Sequence, residues 1–98
     1  MDFHFGHDSA DRAIAAFKDS IEKLEDILRQ QRDNINNFQN GGFKGQVADE
    51  YIANIRRKMD LIEDLRHVYQ QAISKLRKAK SEAENTDDQL QRRLRSSK

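Results

Sequence analysis

Over the first forty positions the apolar residues recur at alternating steps of four and three. Ala10, Ile14, Phe17, Ile21, Leu24, Leu28, Gln31, Ile35 and Phe38 follow this rule, and Gln31 alone among them is polar. Such a period puts them all on one face of an α-helix and does not fit the strict alternation of a half-buried strand. Ala13 and Ile27 widen the stripe. The other face is charged, with Asp8/Arg12, Asp19/Lys23 and Glu25/Arg29 spaced to pair one helical turn apart. Asp8 or Ser9 is placed to cap the helix start, and Asp11 falls where the positive end of the helix dipole favours an acid.

The rule lapses between Asn36 and Gly45. Three of the four glycines and three asparagines lie in this stretch. Both residue types tolerate positive φ, so the chain is expected to reverse here. Beyond it a second seam begins, running through Ala48, Ile52, Ile55, Met59, Ile62, Arg66, Tyr69, Ile73 and Leu76. It continues as Lys80, Ala83, Asp87, Leu90 and Leu94 with the same alternation. Tyr51, Leu65, Ala72 and Ala79 form a flanking row with a period of seven. The expected fold is all-α: one domain, 1–98, with a first helix over about 9–38, a turn over 39–45 and a second helix over about 46–93. A short connection makes the two helices antiparallel neighbours.

Length arithmetic adds an asymmetry. A first helix of roughly 30 residues spans roughly 45 Å, and a second of nearly 50 spans roughly 70 Å. Folded back, the first helix reaches only to about Leu76, so 77–98 is expected to overhang. Residues 75–98 carry eight Lys/Arg against four Asp/Glu, and residues 1–74 carry ten against thirteen. The far end is thus net positive and the remainder net negative.

Composition narrows the function classes. The chain has no Pro, no Cys and no Trp, and 36% of its residues are charged. The missing proline suits long helices and argues against a sandwich or barrel. The missing cysteine removes disulfide scaffolds, Cys-based zinc sites and thiol catalysis. His4, His7 and His67 do not make a ligand set, and there is neither a phosphate-binding loop nor a nucleophile with a recognisable base. No enzyme activity, cofactor or metal is expected. The formal net charge of +1 implies no overall attraction to nucleic acid. No apolar run is long enough to span a bilayer, and the first residues hold no basic leader or apolar segment of a cleavable signal.

Two helices packed alone bury one stripe each and leave thin cover for a chain of this size. Pairing with another hairpin into a four-helix bundle would cover the widened flanks. The expected core and partner interface is Ile14, Phe17, Ile21, Leu24 and Leu28 on the first helix, with Ile55, Met59, Ile62, Tyr69 and Ile73 on the second.

Around the turn the chain reads Gly42-Phe43-Lys44-Gly45-Gln46-Val47-Ala48-Asp49-Glu50-Tyr51. This resembles the centre of the WXG (Esx-like) family, small helical hairpins of type VII secretion. Phe43 stands where the family usually has Trp, and Gly45 matches. Late in the second helix, Ala83-Glu84-Asn85-Thr86-Asp87-Asp88-Gln89-Leu90 resembles the family's Tyr-x-x-x-Asp/Glu export motif. Asp87 matches its acidic position, and Ala83 departs from the aromatic one. The resemblance extends over nearly the whole chain in length, helix order and turn placement.

What the resemblance implies is a protein made in the cytoplasm of a Gram-positive-type bacterium and exported without a cleavable signal. It implies dimerisation with itself, with a related hairpin, or with the helical N-terminal domain of a larger toxin of the LXG type. A membrane-bound secretion ATPase would recognise the dimer. The chain would be an exported substrate or a targeting partner of the toxin, with Phe43 and Gly45 at the turn and Ala83, Asp87 and Leu90 as the recognition surface. Two rival readings stand beside it. One is a structural coiled-coil subunit of an unrelated complex. The other is a module whose basic tail binds anionic membrane or nucleic acid.

Overall fold

The computed structural model describes residues 7–96 of the chain, which form two helices joined by a short turn. Helix α1 runs His7–Asn40 and helix α2 runs Gln46–Ser96. They fold back on each other as an antiparallel hairpin measuring 81 × 24 × 16 Å. Its radius of gyration is 22.6 Å, against about 13 Å for a compact domain of this length.

Both helices end where charge and glycine make ending favourable. Asp8 and Asp49 lie in the first turns of α1 and α2, and Arg93 and Arg95 lie in the last turn of α2, each suited to the dipole it meets. Asp8 lies inside the helix instead of capping it, because the helix already begins at His7. At the other end of α1, the Gly41 amide donates to the Asn37 carbonyl at 2.9 Å and the Gly42 amide to Gln39 at 3.2 Å. Gly42 then takes φ of 80°, the left-handed conformation that commonly closes a helix. Gly45 has φ of 104°, and its carbonyl accepts from the Asp49 amide at 3.0 Å, opening α2.

The seam between the helices is the one expected from spacing. Ala10, Ile14, Leu28 and Ile35 are buried against Ala48, Ile52, Ile55 and Ile73. Ile35, Ile52 and Ile55 form a cluster near the turn, with Phe38 and Met59 packed on it. Phe17, Ile21, Leu24, Met59, Ile62 and Tyr69 are half-buried, and the Phe17 and Tyr69 rings meet at a tilt with centroids 5.3 Å apart.

The overhang starts later than the length arithmetic suggests. α1 extends two residues further at each end than expected, and its 34 residues reach about 51 Å. The turn is correspondingly tighter. Cover therefore continues past Leu76 to Lys80, whose ammonium donates to the Asp11 carboxylate at 2.8 Å, and to the half-buried Ala83. From 84 onward every α2 residue whose exposure is described is exposed.

Candidate functional site

A two-helix rod offers no cleft, so recognition must come from its tip, its flanks or its overhang. At the tip Phe43 is not buried between the helices. Its ring is stacked on Phe38 at 4.6 Å with the planes 8° apart, and 60% of the residue remains exposed. Phe38 also meets Tyr51 at 4.7 Å. Phe38 thus links the seam to an outer aromatic surface of Phe43 and Tyr51, with exposed Val47 beside them. Gly45 is required by its backbone: a Cβ there would meet nothing within 4 Å, but φ of 104° strains any L side chain.

The two flanks of the hairpin differ in kind. In an antiparallel pair, like flanks face each other. One flank carries Asp11, Glu25 and Arg32 of α1 opposite Glu63 and Arg77 of α2. Ion pairs cross it: Arg32 with Glu63 at 4.0 Å, and Arg66 with Glu25 at 3.6 Å. Arg66 also donates to Glu63 at 2.6 Å. Lys80 with Asp11 closes the open end, and this hydrogen bond raises the lysine above its ordinary pKa of 10.5. A shallow depression of about 260 Å³ lies along this flank, lined by Glu25, Leu28, Arg29, Arg32 and Arg66. Each of its guanidinium groups is matched by a carboxylate, that of Arg29 by Asp26.

The other flank is largely apolar, with Ser20 and Asn34 of α1 and Lys58 of α2 interrupting it. Ala13 and Ile27 of α1 face Tyr51, Leu65 and Ala72 of α2, and beyond them lie Leu61 and Val68. Leu61 is 68% exposed and Val68 55%. The period-seven row read from sequence omits these two. They were detectable, because Leu61, Leu65, Val68 and Ala72 follow steps of four, three and four. That is a second stripe beside the seam, and it is masked when only one apolar residue per heptad is counted.

Comparison with known proteins gives no relative. No protein-family model matches the chain, and no curated protein or solved structure is significantly similar to it.

The ten residues expected at a partner interface, from Ile14 to Ile73, are buried or half-buried between the chain's own helices. In the single hairpin they hold α1 to α2. Of the expected recognition residues, Ala83 is half-buried at the end of the paired region, and Asp87 and Leu90 are exposed beyond it. Ala83 and Asp87 are a helical turn apart, about 5–6 Å on one face. One turn of α2 between them carries a Thr86 hydroxyl donating to the Glu82 carbonyl at 2.9 Å. The overhang is not a continuous basic face: Glu82, Glu84, Asp87 and Asp88 separate Lys75–Lys80 from Arg92–Arg95.

Of the three histidines, His4 lies outside the described residues, and His67 is exposed with Gln71 Nε2 3.3 Å from its ring. Among the described residues no group of three His, Cys, Asp or Glu is placed to hold a metal ion, and no helix is long and apolar enough to cross a membrane.

Proposed function

We propose that this chain is a small helical protein of type VII secretion, acting as an exported substrate or as the targeting partner of a larger secreted toxin. In this reading the hairpin pairs with another hairpin, its own copy or a toxin's helical N-terminal domain, into a four-helix bundle. The bundle forms in the cytoplasm and leaves without a cleavable signal. A membrane-bound secretion ATPase reads the end of α2, where Asp87 supplies charge and Leu90 an apolar contact.

The observation that carries the reading is the pairing of two features on one chain. An aromatic-x-Gly turn, Phe43-Lys44-Gly45, joins two long helices. The second of them projects past the first with Asp87 and Leu90 exposed. A coiled-coil subunit with a purely structural role does not need that projection. A basic tail for membranes or nucleic acid is poorly served by acids at its centre, which repel a polyanion.

The test is a secretion assay of Asp87→Ala in the native host. Export is expected to fall at least tenfold while circular dichroism and the melting midpoint stay unchanged. Export at the wild-type level removes Asp87 from the signal and overturns the recognition surface proposed for α2.

A further inference from the structure

The charged flank is not uniform along its length. Three shallow depressions follow one another on it toward the turn, joined by residues they share. The first holds Arg29, Arg66 and Arg32, each with its carboxylate. The second, of about 250 Å³, shares Arg32 and is lined also by Ile35, Asn36, Arg56 and Met59. The third shares Arg56 and continues to Gln39 and Asp49. The second thus brings together guanidinium groups from opposite helices, with no acid among the residues that line it. We infer that this middle depression is a binding site for a carboxylate carried on a short apolar stem, held by Arg32 and Arg56. The inference depends neither on export nor on what the hairpin pairs with.

Charge is the first argument. Along this flank Arg29 has Asp26, Arg66 has Glu63 and Lys80 has Asp11. Arg56 makes no ion pair among the described residues, although Asp49 and Asp60 lie within two turns of it on α2. Arg32 is loosely held: its partner Glu63 stands 4.0 Å away and lies closer, at 2.6 Å, to Arg66. Two like charges facing one depression repel each other, and an anion set between them removes that repulsion. Each guanidinium also offers a planar fork of N–H donors that matches the two oxygens of a carboxylate.

Shape is the second argument, and it selects the ligand. The apolar part of the lining is Ile35, 7% exposed, and the half-buried Met59. Arg32, Asn36 and Arg56 around them are exposed. An acid on an apolar stem suits both parts, its oxygens on the guanidinium groups and the Asn36 amide, its methylenes on Ile35 and Met59. A phosphate has polar oxygens on every side, and those turned toward Ile35 and Met59 lose water without gaining a donor. The volume of about 250 Å³ falls below the roughly 300–1,000 Å³ of pockets for drug-sized ligands. It fits one small acid or one acidic side chain of another polypeptide, and the chemistry at the two arginines is the same for both.

The test is a titration of the 15N-labelled full chain at one ionic strength, followed by NMR on the arginine side-chain N–H groups and the Asn36 amide. The probes are hexanoate, inorganic phosphate, acetyl-Leu-Glu-Leu-amide and acetyl-Leu-Gln-Leu-amide. Hexanoate is expected to move Arg32, Arg56 and Asn36 together and saturably, and to bind at least tenfold more tightly than phosphate. Arg56→Gln and Arg32→Gln are each expected to weaken it at least tenfold with circular dichroism unchanged. Arg57→Gln, at the neighbouring exposed residue that lines none of the three depressions, is expected to change it less than twofold. If the Glu peptide binds at least tenfold more tightly than hexanoate, the carboxylate comes from a polypeptide; if it does not, the source is a free acid. Either result supports the site. Shifts that never saturate, or that weaken equally in Arg56→Gln and Arg57→Gln, report general screening of surface charge and overturn the inference. Phosphate binding as tightly as hexanoate overturns it as well. So does a Gln peptide that binds as tightly as the Glu peptide and hexanoate, since the arginines then select nothing.

Discussion

The paired and overhanging parts of α2 carry the same spacing rule and have opposite fates. From Ala48 to Ala83 the seam is buried or half-buried by α1, and at Asp87 and Leu90 it is exposed. The rule itself does not change at residue 83. What changes is that α1, opposite, begins at His7. Burial is thus a property of a residue and its partner together, and the same spacing holds the fold in one part and presents a surface in the other.

That comparison can be broken or sharpened by substitution. The largest effect is expected at Leu28, which is 2% exposed in the middle of the seam. Leu28→Ala should cost about 2–5 kcal/mol, the range for truncating a packed leucine, read as a loss of stability in urea unfolding followed by circular dichroism. A cost under about 0.5 kcal/mol would show that the seam is not what holds the hairpin. Gly45→Ala comes next. Its φ of 104° places an L residue in a strained backbone, so a cost of about 1–2 kcal/mol is expected, with the helix content of the folded state preserved.

Leu90→Ala, on the overhang, should change stability by no more than about 0.5 kcal/mol, as for surface positions away from packed features. If it matches Leu28→Ala in the isolated chain, the overhang is covered after all. The smallest effect is expected at Lys80, where the paired region closes. Its hydrogen bond to Asp11 raises its pKa, so the contribution is present below the ordinary lysine value of 10.5 and is lost as pH rises through the raised value. Melts of wild type and Lys80→Met should differ at pH 9, and the difference should shrink as pH rises past 10.5. A difference that grows with pH would reverse the sign.

Much of this molecule was legible before any coordinates. The seam residues Ala10 to Phe38 and Ala48 to Ile73 were readable because a helix places every third or fourth side chain on one face, a local rule that needs no partner to operate. The turn was readable for a similar reason: Gly42 and Gly45 are the residues that accept positive φ cheaply. The overhang was readable as an inequality of lengths, but its start after Ala83 was not. That depends on how many residues the turn consumes and on how far α1 continues toward His7.

The candidate surfaces were less legible. Phe43 stacks outside on Phe38 with most of its surface exposed, a placement that no spacing rule encodes. The five-residue connection leaves it outside the helix pair. Leu61 and Val68 escaped because their stripe runs beside a stronger one.

Alone, the sequence determined that the chain is two helices and a reversal, because periodicity, glycine placement and the absence of proline are properties of the chain itself. The tertiary structure alone decided which charged residues meet, which flank they close and which flank they leave apolar. Those outcomes depend on the register of one helix against the other. Register is set by packing along the whole seam, and no single residue encodes it.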